Sequence, residues 1–218
     1  MAKAARKSMA MKNKSAKKLN KKEDIIKAAA KLFSQKSFHD VKMDEIAEEL
    51  GIAKGTIYLY FKSKEKLYLE ILEESYEAIE ALLEKEIAND EPSTLKLKKV
   101  LGIIFSFYRR NLDVLKILSR DETHLIKEHF EFTEHWRLRR LKLYEKILEK
   151  GIKEGSFNVQ NPKLTSLIIF GLVRSVMFFY STEKNTTDIA EEVFNVITNG
   201  ILNSKLNEYE KGLKVINH

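Results

Sequence analysis

Apolar residues recur along most of this chain at intervals of three and four, the period of helices that bury one face. The shortest such pattern is the most informative. In Met43 to Phe61, MDEIAEELGIAKGTIYLYF, Ile46 and Leu50 stand at helical spacing, and Ala47 is small enough for a second helix to cross closely. Gly51 follows where the first helix must stop, since a residue without Cβ enters the left-handed region cheaply. Ile52 and Ile57 resume an apolar face on a second helix of about seven residues. A small crossing residue, a glycine turn and an apolar return predict a helix-turn-helix whose second helix enters a DNA major groove.

Before this unit, Asn20 with Glu23 three residues on is a capping-box pattern opening a first helix. Its inner face is Ile25, Ile26, Ala29, Leu32 and Phe33, and Phe38 plugs the turn that follows. After the unit, Ser63 is a good N-cap for a long helix from Lys64 to about Ile87. Asn89-Asp90-Glu91-Pro92-Ser93 reads as a loop and a domain boundary. Beyond it the periodicity predicts helices over Leu95–Arg109, Leu112–Leu118, from about Thr123 or later to Glu154, Asn161–Tyr180 and Asp188 to about Leu206. With two prolines and a single weak run of strand formers in 218 residues, the chain is expected to be all-α, with about nine helices.

Charge alters the picture at one end. Residues 1–22 hold nine Lys/Arg and no Asp/Glu, leaving 30 basic against 32 acidic residues in the remainder, a net of −2. The whole excess of positive charge therefore sits in the leader. Residues 1–19 read as a disordered basic arm that tracks phosphates, or as a solvated tail, Met9 and Met11 being alternative starts. The arm has no apolar core of a secretory signal. Leu164 to Tyr180, the longest apolar run, is short and interrupted for a membrane span. The absence of cysteine excludes disulfides and zinc-finger sites and suits a reducing cytoplasm.

GTIYLYFKSKEKL, within Met43 to Leu67, resembles the DNA-binding domain of TetR-type transcriptional regulators. The resemblance covers residues 20–68 at motif level and the rest as an all-helical architecture. It implies a three-helix DNA-binding domain (20–68) and a larger helical domain for effector binding and dimerisation (69–206); residues 207–218 read as a frayed tail. This chain departs from the family in having Ser37 rather than glycine before Phe38, and Lys42 rather than Thr or Ser capping the second helix.

For DNA contact, the candidates are Lys42, Lys54, Gly55, Thr56, Tyr58, Tyr60, Lys62 and Lys64. Lys54 and Thr56 are expected at base edges, and Gly55 lets the backbone come close. Tyr58, Tyr60 and the lysines suit phosphate oxygens. Residues 23–68 carry eight Lys and eight acidic residues, so affinity there depends on where charges sit. One short helix reads few base pairs, and a two-fold dimer on a palindromic operator doubles the readout. The expected interface is Leu164, Leu167, Gly171 and Ser175 on helix eight, with Ile189, Val193, Val196 and Ile197 on helix nine.

The resemblance implies a small-molecule effector that releases the operator, and the many aromatic and aliphatic residues favour a hydrophobic or amphipathic one. Candidate lining residues are Tyr76, Phe105, Tyr108, Leu118, Trp136, Phe170, Arg174 and Phe178, each also a candidate for ordinary core. Arg174, the only charge between Leu164 and Tyr180, needs an anionic partner, either a ligand or a glutamate across the dimer. His124, Glu128, Glu131 and His135 would share a face of an unbroken helix and form a weak metal candidate. No cofactor is expected. With no cysteine nucleophile, nucleophile elbow or phosphate loop, no enzymatic activity is expected either. Two other readings remain at this level, a DNA-organising protein without an effector and a helical protein-interaction module.

Overall fold

A computed structural model describes residues 21–121, 124, 127–180 and 186–199. All regular structure among them is helical. Helix α1 (residues 21–35) is followed by α2 (Met43–Glu49), α3 (Lys54–Tyr58), α4 (Lys64–Ala88), α5 (Ser93–Arg110) and α6 (Leu112–Arg120). Then come α7 (Phe130–Lys153), α8 (Pro162–Phe179) and α9 (Thr186–Asn199). The basic arm, the Asn20 cap, residues 200–206 and the tail lie outside the described residues. The chain forms two compact units. One takes the chain up to Ala81 and from Arg110 to Glu134, and the other takes Leu82–Arg109 and the chain from His135 onward. The first unit thus holds α6 as well as the three-helix head, a grouping that sequence division at 68/69 does not suggest.

In the first unit the core is Ile25, Ala29 and Phe33 of α1, Ile46 of α2, Ile57 of α3, and Leu67, Tyr68 and Leu72 of α4, all fully buried. The rings of Phe33 and Tyr68 meet edge to face at 5.0 Å, and Phe38 closes the cluster on Tyr68 at 4.9 Å. Side chains also tie backbone together here. Arg120, at the end of α6, donates to the carbonyls of Phe33 (3.3 Å) and Ser34 (2.6 Å). A cation on the last carbonyls of α1 also meets the negative end of that helix dipole. The next residue, buried Asp121, accepts the Tyr68 hydroxyl at 3.0 Å, and burial raises the Tyr68 pKa well above its ordinary value.

In the second unit the buried set is led by Leu83 of α4, Leu97, Val100, Leu101 and Ile104 of α5, Tyr144, Ile147 and Leu148 of α7, and Ile169 of α8. Lys96 is a buried lysine whose ammonium donates to the carbonyls of Ile87 and Asn89, both at 2.7 Å, and so satisfies the end of α4. Glu154 accepts the Ser93 amide at 2.9 Å, which caps α5 and holds that carboxyl below the usual range. Asn161 caps α8 by accepting the Leu164 amide at 3.0 Å, with Pro162 in the first turn.

Gly151 has a packing reason. A Cβ there would lie 2.0 Å from the Phe157 ring, so the ring fits only because the side chain is a hydrogen. Alanine usually stabilises a helix interior by roughly 0.5–1 kcal/mol relative to glycine. Here Gly151→Ala is expected to destabilise, because overpacking costs about 1–3 kcal/mol. In a Phe157→Ala background the same change should stabilise. Denaturant unfolding of the four variants checks the reversal of sign.

The stretch expected to form one helix is interrupted: His124, Lys127 and Glu128 are helical, His129 is not, and α7 begins at Phe130. That break interrupts the face on which His124, Glu128, Glu131 and His135 were expected to align. Among the described residues no group of three or more His, Cys, Asp or Glu is placed to hold a metal ion. Instead, His124 stacks on Phe38 at 4.9 Å, and His135 meets Trp136 edge to face at 5.1 Å.

By length and composition helix α8 is apolar enough to cross a membrane, yet only 17% of it is buried within the chain. Ser166, Ile169 and Val173 form its inward stripe, at helical spacing. Leu164, Leu167 and Ile168 stand 54%, 46% and 60% exposed on the outside.

Candidate nucleic-acid interface

The turn between α2 and α3 is set by Gly51, whose φ of +61° lies in the left-handed region. Its amide donates to the Glu48 carbonyl at 3.0 Å, and the Ile52 amide reaches back to Ala47 at 3.0 Å, closing the end of α2. Ala47 is buried at the crossing. Helix α3 has five residues, shorter than its apolar pattern suggests, and is anchored on one side by Ile57, with Phe61 just beyond it. Its other side faces outward. Tyr58 is 44% exposed, Lys54 and Gly55 are exposed, and Thr56 and Tyr60 are half-buried. Nothing lies within 4 Å of where a Gly55 Cβ would stand, so the backbone there is open to a ligand.

The lysines divide into three kinds. Lys42 and Lys62 are exposed at the two edges of the motif. Lys42 begins α2 without a side-chain cap bond, as its chemistry requires. Lys54 pairs with Asp44 at 2.8 Å, which pins the start of α3 to the first turn of α2 and raises the lysine pKa. Lys64 departs from the expected phosphate role. Its ammonium donates to the carbonyls of Phe38 (2.7 Å), His39 (3.2 Å) and Val41 (2.9 Å) and sits 4.5 Å from the Phe38 ring centroid. Those three bonds use all its donors, so it clasps the α1–α2 turn. Ser37, in the position where the resemblance leads one to expect glycine, donates to Asp40 at 2.7 Å in that turn.

Three histidines gather on the same turn. The His39 and His129 rings lie 5.0 and 5.7 Å from His124, and His129 Nε2 is 3.7 Å from Glu65. Desolvation, then the neighbouring His39 and His129, lower the His124 pKa from 6.5, against a smaller opposing pull from Asp121 and Glu128. A depressed folded pKa means that the unfolded chain takes up the proton first. The penalty is absent above about 6.5 and grows as pH falls toward the folded value. Acidification from about pH 7.5 to 5.5 should therefore destabilise the first unit, and His124→Gln should remove part of that loss. Melting curves at both pH values check it; equal losses in the two proteins would mean that His124 does not titrate there.

The other expected sites divide between the units. Of the effector candidates, Tyr76 and Leu118 fall in the first unit, half-buried and buried; Phe105, Tyr108 and Trp136 are buried in the second. Phe170, Arg174 and Phe178 are half-buried on α8, with the Arg174 guanidinium 5.2 Å from the Phe178 ring centroid. On the expected dimer face, Leu164, Leu167, Ser175 and Val196 are exposed, Ile189, Ile197 and Gly171 are half-buried, and Val193 points inward at 6% exposure. Sequence reasoning missed Arg120 and Asp121, because their partners lie more than fifty residues away.

A helix-turn-helix on a small helical head, followed by a larger helical body, defines a class of DNA-binding regulators. Residues 25–71 match the bacterial regulatory proteins of the tetR family, and residues 90–201 match the tetracyclin repressor-like C-terminal domain. The chain belongs to the TetR family of transcriptional regulators. It is 38% identical over 117 residues to the uncharacterised HTH-type transcriptional regulator YerO of Bacillus subtilis, a match spanning 50% of this chain and 40% of that relative. Among solved structures it resembles the TetR-family regulator PfmR of Thermus thermophilus, with a TM-score of 0.73 and 21% identity, over 82% of this chain and 99% of that one. It also resembles FadR of Bacillus subtilis in complex with stearoyl-CoA, with a TM-score of 0.71 and 22% identity, over 83% and 99% of the two chains.

Proposed function

We propose that this chain is a dimeric repressor that holds a palindromic operator and releases it when a hydrophobic or amphipathic ligand binds. The observation that carries the reading is the two-sided character of α3. Ile57 and Phe61 fix it to the head, while Lys54, Gly55 and Tyr58 are exposed and Thr56 is half-buried. Thr56 reads a base edge, and Tyr58 and Lys62 meet phosphates. Lys64 acts by holding the turn before α2.

Dimerisation is supported by the outer side of α8, where Leu164, Leu167 and Ile168 are too exposed for a chain that stays alone in water. Gly171 admits a close helix crossing, since nothing occupies the space beside it. Val196 continues the surface on α9, and a four-helix packing of two copies covers both helices. In the second unit, Phe105, Tyr108, Trp136, Phe170 and Phe178 suit an acyl or similarly apolar body, and Arg174 suits an anionic head group. The likeness to a FadR solved with stearoyl-CoA favours a long-chain acyl compound among such ligands. A ligand that prefers the head spacing unsuited to the operator releases DNA by shifting the population.

The test pairs two variants on selected DNA. Thr56→Ala should relax base preference at one position of each half-site. Lys62→Ala should weaken all sequences alike and flatten the salt slope by about one unit per bound copy. An unchanged preferred sequence in Thr56→Ala would remove Thr56 from the readout, and binding without any sequence preference would favour a DNA-organising role.

A further inference from the structure

We infer that Leu59, at the outermost edge of the recognition helix, reads the C5-methyl group of a thymine in each half-site. The inference rests on the DNA-binding reading above and adds a residue and a base to it. Helix α3 is anchored through Ile57 (0% exposed), and Phe61 (4%) continues the same ridge. Since successive residues turn by about 100°, the ridge diametrically opposite carries Gly55 and Leu59, four residues apart. Leu59 is the C-cap but keeps right-handed helical angles (φ −70°, ψ −22°), so the ridge continues through it.

On that ridge Leu59 is 79% exposed, whereas most leucines of the head are buried or half-buried. Beside it the Gly55 position adds no bulk. Together they give an outer edge on which a single side chain projects beyond flat backbone. Thr56 flanks this edge on one side and Tyr58 on the other, both with polar tips. Leu59 alone has no donor, acceptor or charge. The floor of the major groove offers such a side chain one apolar partner, the thymine methyl. Cytosine, which shares the pyrimidine ring but lacks the methyl, offers none. Leu59 therefore contributes a preference for thymine, while Thr56 supplies hydrogen bonding one turn earlier on the helix.

The experiment uses the full-length chain and the duplex it selects from a random pool. Each thymine of that duplex is replaced in turn by deoxyuridine, which removes only the methyl group. The wild-type chain should lose affinity by roughly four- to tenfold at one thymine per half-site, the worth of a buried methyl contact. Leu59→Ala should lose less than about twofold at that position, because it has already given up the contact. Leu59→Val should fall between them. Far-UV circular dichroism and melting should match the wild type in both variants, since the side chain is exposed. Equal deoxyuridine penalties in wild type and Leu59→Ala at every position would overturn the inference while leaving a sequence-specific regulator standing. Failure to select any motif would overturn the regulator reading and this inference with it.

Discussion

Replacing Ile168 by glutamate should leave a folded chain that no longer pairs and has lost about a hundredfold or more of its operator affinity. Ile168 is 60% exposed on the outer side of α8, so a carboxylate there costs the single chain little. Across a two-fold interface the change is presented twice, and two carboxylates would be driven into an apolar seam without partners. Once the pair is broken, each head must find its half-site independently. Linking two binding events commonly raises the combined affinity by 10²–10⁴, and that gain is what the variant gives up. Sedimentation velocity and gel-shift titration check the two parts separately. A variant that remains dimeric would move the interface away from this side of α8.

Phe33→Ala should cost the head about 3–5 kcal/mol, the usual range for truncating a fully buried phenylalanine. Phe33 is 0% exposed, meets Tyr68 edge to face at 5.0 Å, and lies 6.1 Å from the Phe38 ring. Its ring therefore supports α1, α4 and the turn that Lys64 clasps. The vacancy would loosen the platform on which α3 sits, so DNA binding should be lost at lower temperature than in the wild type. Calorimetric unfolding and DNA binding followed against temperature test both consequences. Phe33→Leu, which keeps much of the volume, should retain a larger part of both. A melting profile indifferent to Phe33→Ala would contradict the role assigned to this aromatic cluster.

Local chemistry made the head legible in the sequence. Gly51 announces the turn because its backbone must enter a region that other residues avoid, and φ there is +61°. Ile46, Ile57 and Phe61 lie inside, as their helical spacing requires. Ser63 and Asn161 mark the starts of α4 and α8, and each accepts the backbone amide expected of an N-cap. Less legible were contacts in which a long charged side chain ends on distant backbone. Lys64 reads as one more surface lysine until its ammonium is found on three carbonyls more than twenty residues earlier. Lys96 is buried although its charge predicts exposure, because the end of α4 supplies carbonyls for it.

Periodicity was similarly blind to interruption. The apolar positions around Thr123 to Glu154 continue through His129, where the helix does not. It also gave Val193 to the outer side of α9, though that side chain is buried within the unit. Leu59 escaped notice for the opposite reason. An apolar residue beside Ile57 and Phe61 looks like core, and only its place on the far ridge of a five-residue helix distinguishes it.

The most direct test is to count copies on DNA, by sedimentation equilibrium of the full-length chain with a selected symmetric duplex and with a duplex carrying one half-site. Two copies should load together on the symmetric site, and the half-site should bind at least about a hundredfold more weakly. Single copies that load independently, with equal affinity for both duplexes, would contradict the paired arrangement.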